Sequence, residues 1–228
     1  MGLTHSPRIA TDGLVLCLDA GNVRSYPRDG NYWYDVSGNG FSGNLTDYNM
    51  DSTNWNNGYF LFDGSDEKFI INGYSSYSDF SIALWFNFVS TSTPFHCIYA
   101  RNTGGTMSIE QYTGYNNIRF SYNPIDTNLG STLKIRGGDP VNEDIWHHVC
   151  VTNDSNDEST GAKLYMNGKY FLSNAPAVSL FPGHILGMGY NSWSPSNVKI
   201  SQFQIYNRAL SAYEIKQNYL ATKGRFNL

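Results

Sequence analysis

Tyr34-Asp35-Val36-Ser37-Gly38-Asn39-Gly40 is the stretch on which the reading of this chain turns. Its polar residues fall at the opening spacing of a calcium-binding helix–loop–helix, D-x-[DN]-x-[DN]-G, a loop that closes with a bidentate Glu at position twelve. Counted from Asp35, position twelve is Thr46. The flanks are also wrong: aromatic residues precede the stretch and a Gly- and Asn-rich run follows it, where helices are required. The helical reading fails, and a tight polar turn between extended segments remains. Asp35 and Asn39 are residue types that satisfy nearby backbone groups in Asx-type turns. With Asp63 they are also the candidate ligands for a calcium ion held by loop oxygens.

Outward from this turn the apolar residues repeat every two positions. Leu14, Leu16 and Leu18 alternate with Val15, Cys17 and Asp19; Ile82, Leu84, Phe86 and Phe88 alternate with Ala83, Trp85 and Asn87; Ile145, His147, Val149 and Val151 alternate with Trp146, His148 and Cys150. Each run predicts a strand with one face toward a core. Asn167-Gly168 between Leu164-Tyr165-Met166 and Tyr170-Phe171 predicts a two-residue hairpin, because a type I′ turn needs positive φ at both central positions. Turn signals recur at Asn57-Gly58, Asp63-Gly64, Asn72-Gly73, Gly104-Gly105 and Gly137-Gly138. In the last strand Val198 and Ile200 hold one phase and Phe203 and Ile205 the other. A β-bulge at Ser201-Gln202 would keep both pairs inside. Ser211-x-x-Glu214 is a capping box, and Ile215 and Tyr219, four residues apart, share a face of the helix it starts. Gly224 is the expected C-cap.

The 228 residues suit a single β-sandwich large enough to bury a core. Charged residues are only 15% and the net charge is −4, with no basic run, so nucleic acid is not an expected partner. No apolar segment reaches the ~18–20 residues of a membrane helix, and the first residues hold no apolar stretch for export. Cys17, Cys97 and Cys150 are odd in number and outside any C-x-x-C spacing, and they read as buried small hydrophobes.

Seven segments, taken in order, resemble the concanavalin A-like lectin/glucanase superfamily in its laminin G-like branch: GLVLCLDAGN, WYDVSGNGFSGNL, FLFDGSDEKFII, FSIALWF, IWHHVCVT, KLYMNGKY and IYNRALSAYEI. The resemblance implies an all-β fold, a two-sheet antiparallel jelly-roll sandwich with one short C-terminal helix. It places an N-terminal arm at 1–12, the jelly-roll domain at 13–221 and a C-terminal tail at 222–228. It makes the YDVSGNG turn a structural hallmark. It also implies that calcium, where relatives bind it, would draw on loop carboxylates. Relatives often carry an acidic pair where this chain has Ser201-Gln202, which removes carboxylates there. The closing run NRALSAYEIKQNYLATKGRF is similar to domains in virion structural proteins of tailed bacteriophages. It implies a surface position on the particle after synthesis in the host cytoplasm, with other virion proteins, further copies of the chain (a homotrimer) and host glycans as partners.

Hydrolytic members of that superfamily carry E-x-D-x-E along one strand, and glycoside hydrolysis needs two carboxyls across the scissile bond. This chain has no such motif. Asp154, Asp157 and Glu158 fall in a polar stretch that reads as a solvated turn. There is no G-x-S-x-G and no H-x-x-x-H, and His147 and His148 must point to opposite faces of a strand. A binding protein is therefore expected, not an enzyme. Aromatic residues set among Asn, Ser and Gly can stack on a sugar ring while amides and hydroxyls meet its hydroxyl groups. Trp55 in STNWNNGY, Tyr112 and Tyr115 in QYTGYNN, and Tyr190, Asn191 and Trp193 in GYNSWSPSN are the candidate contact residues. Trp85 and Trp146 read as core, and Trp33 as part of the hallmark turn.

Overall fold

The period-two runs become strands, and their order makes two facing sheets. The computed structural model describes residues 8–45, 51–71, 75–89, 95–101, 106–112, 115–123, 133–137, 140–175, 178–180, 183–187 and 196–228. Along the chain the strands are β1 (Leu14–Asp19), β2 (Tyr32–Trp33), β3 (Gly43–Asn44), β4 (Trp55–Asn56), β5 (Tyr59–Asp63), β6 (Phe69–Ile71), β7 (Phe80–Phe88) and β8 (Phe95–Arg101). They continue as β9 (Thr106–Tyr112), β10 (Tyr115–Asn123), β11 (Leu133–Gly137), β12 (His147–Asn153), β13 (Ala162–Met166), β14 (Lys169–Ala175), β15 (His184–Leu186) and β16 (Asn197–Tyr206). One sheet runs β14-β13-β12-β7-β16-β5-β4, with β1 also paired to β16; the other runs β11-β10-β9-β8-β15-β6. All pairings are antiparallel, and the crossovers between non-consecutive strands are those of a jelly roll.

The core lies between the sheets. Leu16, Leu18, Phe60, Phe62, Leu84, Phe86, Val149 and Val151 from the first face Phe69, Ile98, Met107, Ile109, Phe120 and Leu186 from the second, all buried. Close backbone approach sets one edge of it: Gly187 holds φ +79°, and a Cβ there would stand 2.0 Å from Phe62 Cδ1.

β16 is the organising strand. Its first half pairs with β5 and its second half with β1 on the same edge, while β7 runs along the other. The register with β7 shifts between Ile200 and Gln202, so Ser201 is the extra residue of a bulge. Val198, Ile200, Phe203 and Ile205 are thereby all fully buried, as the phase switch in the sequence requires. Ser201 then has its polar groups free for work outside the ladder. Its hydroxyl donates to the Gly58 carbonyl at 2.7 Å and its own carbonyl accepts the Ala20 N–H at 2.9 Å.

The outer face of the first sheet is also covered, which alternation alone did not predict. The helix α1 (Ala212–Thr222) starts at the capping box: the Ser211 hydroxyl accepts the Glu214 N–H at 3.3 Å, and the Glu214 carboxylate accepts the Ser211 N–H at 2.9 Å. The Arg208 guanidinium beside Glu214 holds that carboxyl at about 2, well below its usual range. Ile215 from the helix meets Ala83, Cys150, Tyr165 and Tyr206 of the sheet. The chain before β1 lies alongside. The Ala10 N–H donates to Asn218 Oδ1 at 2.7 Å, and the Tyr206 hydroxyl donates to the Ala10 carbonyl at 3.0 Å. Trp85 and His148 are covered by the same layer, so strands expected to bury one face bury both.

Several expectations meet the structure directly. Asn167 and Gly168 hold φ 49° and 75°, the type I′ hairpin. The three cysteines are free and buried, and burial pushes the Cys17 thiol up to about 12. Asp154 and Asp157 close a polar turn on their own backbone and hydroxyl neighbours, with Asp157 held at about 2 by Thr160. Two expectations are corrected. Ile145 precedes β12 and is exposed. Gly224 does not cap the helix, because the chain tightens into a 3-10 turn over Lys223–Phe226 and leaves it through left-handed Asn227. That extra turn carries Phe226 back onto Trp85, at a ring separation of 4.3 Å.

Candidate functional site

The opening turn was read as either a structural device or a calcium loop, and its hydrogen bonds bear on that choice. Asp35 Oδ1 accepts the Cys17 N–H at 2.9 Å and the Ser37 N–H at 2.8 Å. Its Oδ2 accepts the Ser37 hydroxyl at 2.7 Å and the N–H groups of Asn39 and Gly40 at 3.2 and 3.0 Å. Asn39 Nδ2 donates to the carbonyls of Leu14 and Val15 at 3.1 and 3.0 Å. The turn is thus stitched onto β1, and a cation at Asp35 would compete with five donors already in place. Asp63 ends β5 in a separate turn, where its carboxylate accepts the Ser65 N–H at 2.8 Å. Glu67 stands beside it. Its side chain holds Asp63 below the usual carboxylate range, while burial first and then Asp63 push Glu67 up. Among the described residues no group of three or more His, Cys, Asp or Glu side chains is placed to hold a metal. This geometry favours the turn reading of the hallmark stretch.

A different place on the molecule has the form of a binding site. A cleft of about 500 Å³ opens where β4, β5, the bulge of β16 and the C-terminal 3-10 turn meet. One wall is Trp55. Its indole N–H donates to the Ala20 carbonyl at 2.9 Å, its ring packs on Tyr26 at 6.0 Å, and the Arg28 guanidinium stands 5.7 Å from the ring centroid. Tyr26 is itself set edge-on against Phe60 at 4.9 Å, so the wall is anchored to the core. Burial, aided by Asp29 and Asp51, pushes the Tyr26 hydroxyl above its ordinary value.

The lip is the Asn57-Gly58 turn between β4 and β5, both residues at positive φ. The Ser201 hydroxyl holds it through the Gly58 carbonyl. The bulge read from the sequence therefore positions this lip.

A second group of lining residues is aromatic. Trp146, just before β12, lies 5.7 Å from Tyr59 and 4.6 Å from Phe226. Beside them Arg225 Nη1 contacts Asp19 Oδ1 at 2.6 Å. Asp19 is buried and also accepts the Gln202 side-chain amide at 2.9 Å and the Gly21 N–H at 3.0 Å. Ser201 and Gln202 thus serve the lip and the Arg225 anchor.

The described residues lining the cleft include four aromatic side chains, two arginines and an amide, and none of these residues is a carboxylate. The arrangement can stack on a flat apolar face and offer hydrogen-bond donors around it.

Of the contact residues read from the sequence, Trp55 lies in this cleft. Tyr112 and Tyr115 pair across the end of β9 and the start of β10, in the other sheet, with side chains outside the described set. Tyr190, Asn191 and Trp193 lie outside the described residues. Trp146 is corrected: it is half-buried in the cleft wall and not in the core, because β12 begins one residue later. Trp85 is buried as expected, but on the outer face under the helix, where its indole N–H donates to Thr222 Oγ1 at 2.8 Å. Arg28, Tyr59, Arg225 and Phe226 were missed. Trp55 and the Asn57-Gly58 turn signal next to Tyr59 were the sequence features that pointed there.

Comparison with known proteins agrees with the fold. No curated protein sequence matches the chain. Among solved structures, the receptor-binding domain of botulinum neurotoxin D superposes with a TM-score of 0.67 at 18% identity, over 92% of this chain and 52% of that one. The binding domain of Paraclostridial mosquitocidal protein 1 gives 0.65 at 17% identity, over 92% and 52%. Trypanosoma rangeli sialidase gives 0.66 at 15% identity, over 93% and 33%. The chain thus spans about half of the two toxin binding domains and a third of the sialidase. Identities this low speak for the fold alone. The family model of laminin G type described as the concanavalin A-like lectin/glucanases superfamily matches residues 63–216, most of the chain. The chain is a lectin-like domain and belongs to the concanavalin A-like lectin/glucanases superfamily.

Proposed function

We propose that this protein is a non-enzymatic recognition module that binds glycan in the aromatic cleft and is displayed on the surface of a tailed-bacteriophage particle. The observation that carries the binding half is the cleft itself: Trp55, Tyr59, Trp146 and Phe226 line it, with arginine and amide donors and no carboxylate among the described lining residues. Rings held by the core and by each other lose little freedom when a sugar stacks on them, so binding energy is not spent on ordering the site. Two of the similar structures are binding domains of toxins, which supports a fold used for attachment.

The particle half rests on the closing run from Asn207 to Phe226, which is similar to domains of phage virion proteins. Its partners are then neighbouring virion proteins and further copies of this chain in a trimer, with host-surface glycans outside. The N-terminal arm at 1–12 and the C-terminal tail at 222–228 are the proposed points of attachment.

Binding is tested on a glycan array with the wild-type protein and Trp146→Ala. Signal that disappears in the variant while the thermal midpoint moves little is the expected result. The particle reading is tested by electron microscopy of particles labelled with an antibody against the protein. Unlabelled particles would remove it, and array signal would then leave a free lectin. Labelled particles with a silent array would leave a purely structural virion protein.

A further inference from the structure

We infer that the ligand of this cleft is an acidic saccharide, one that carries a carboxylate or sulfate, and that Arg225 and Arg28 hold its anionic group. The inference rests on the cleft being a glycan site, as proposed above. Arg225 lines the cleft, and Asp19 contacts it through Nη1 alone. Asp19 is the one partner the structure gives it among the described residues. One edge of the guanidinium is thus fixed by a buried carboxylate, and the side chain stays 43% exposed. A guanidinium presents planar donors that match an oxyanion in pairs, and orientation by a second carboxylate makes it a pre-set receptor.

Asp19 does not compete for the ligand's place. Its two oxygens are taken by Arg225, the Gly21 N–H and the Gln202 amide, and its side chain is 7% exposed. Gly21 leaves the room that Arg225 uses, since a Cβ there would stand 3.2 Å from Nη1.

The second cation of the lining is Arg28. Arg28 stands over Trp55 and is exposed, and no carboxylate forms an ion pair with it among the described residues. It is held in the left-handed region at φ 71°, which fixes the direction in which its side chain leaves the chain. The remaining nearby cation, Lys199, lies 5.9 Å from the Tyr59 ring and is paired with Asp144 at 3.0 Å. The lining therefore holds two guanidiniums beside its aromatic side chains, Arg225 oriented by Asp19 and Arg28 with no ion pair among the described residues. A neutral sugar would use the rings and leave the charge idle.

The test uses immobilised oligosaccharides in matched sets of neutral, uronate-terminated and sulfated members, with the wild-type protein, Arg28→Asn and Arg225→Lys. Asn suits the left-handed position, so the first variant keeps the fold. Lys keeps a charge beside Asp19 but loses the planar fork. Acidic members should bind tighter than their neutral partners by on the order of tenfold to a hundredfold. The preference should shrink in both variants and weaken with added salt. Preference for uronate over sulfate, or the reverse, identifies the anion. Equal binding of neutral and acidic members would overturn this inference and leave glycan recognition standing. Silence from every set would overturn glycan recognition, and this inference with it.

Discussion

Asp35→Ala is the substitution that separates the two readings of the hallmark turn. In the structure the carboxylate accepts five donors, four backbone N–H groups and one hydroxyl. The Cys17 N–H belongs to a buried strand residue, and stranding it costs about 2 kcal/mol. The N–H groups of Ser37, Asn39 and Gly40 lie nearer to water, which replaces most of what they lose, so together they add about 1 kcal/mol. The expected loss is about 3 kcal/mol, or roughly 6–12 °C in the midpoint of a domain of this size. Urea and thermal unfolding of wild type and variant, each with chelator and with millimolar calcium, provide the assay. If the turn is held by hydrogen bonds, the wild-type curves superimpose in the two media and the variant is displaced equally in both. If Asp35, Asn39 and Asp63 held calcium, wild type would lose about 2.7 kcal/mol on chelation from a hundredfold excess over Kd, and the variant would not respond. That second pattern would refute the hydrogen-bonding argument outright.

Inserting one alanine between Gln202 and Phe203 slips the second half of β16 by a residue against β7, turning Phe203 and Ile205 out of the core. Each such side chain contributes about 1.5–3 kcal/mol by burial, so no cooperative unfolding transition should remain, whereas Ser201→Ala, which keeps the register, should cost about 1 kcal/mol. His148 is buried beside Trp85 and Tyr219, and its Nδ1 finds no partner among the described residues. Burial lowers its pKa from 6.5 to about 3. The unfolded chain therefore takes up a proton below pH 6.5 that the folded chain refuses. Stability falls as pH drops through that window, by about 2 kcal/mol at pH 5, and His148→Leu should flatten this part of the pH profile in urea titrations. Ending the chain after Thr222 removes Arg225 and Phe226, uncovers Trp85 and Trp146, and should red-shift tryptophan emission and abolish glycan binding. Unchanged emission would show that the 3-10 turn does not pack there in solution.

Much of the architecture was legible because it rests on local rules. Alternation reports which face of a strand is apolar within a few residues. Asn167-Gly168 and Asn57-Gly58 announce positive φ, a property of the residues themselves. The phase change between Ile200 and Phe203 announces a bulge, because a period of two cannot otherwise keep both sides of the change inside. The Ser211–Glu214 box is a three-residue pattern that makes its own hydrogen bonds. These features establish an all-β sandwich with one helix before any long-range contact is known.

The binding site was decided at another level. Arg28, Trp55, Tyr59, Trp146 and Phe226 come from distant parts of the chain and meet because β5 lies beside β16 and the C-terminal turn folds back over the sheet. Sheet order and register are collective properties of the packed core, and no local pattern encodes them. Gly224 shows the same limit: its residue type announces a helix end, yet burial of Phe226 against Trp85 and Trp146 outweighs that preference and draws the chain on for another turn. By itself the sequence determined the strands, their turns and the identity of the fold, since each depends on neighbours along the chain. Which aromatic side chains would face one another across a cleft, and which arginines would stand over them, depended on neighbours in space, and only the tertiary structure decided it.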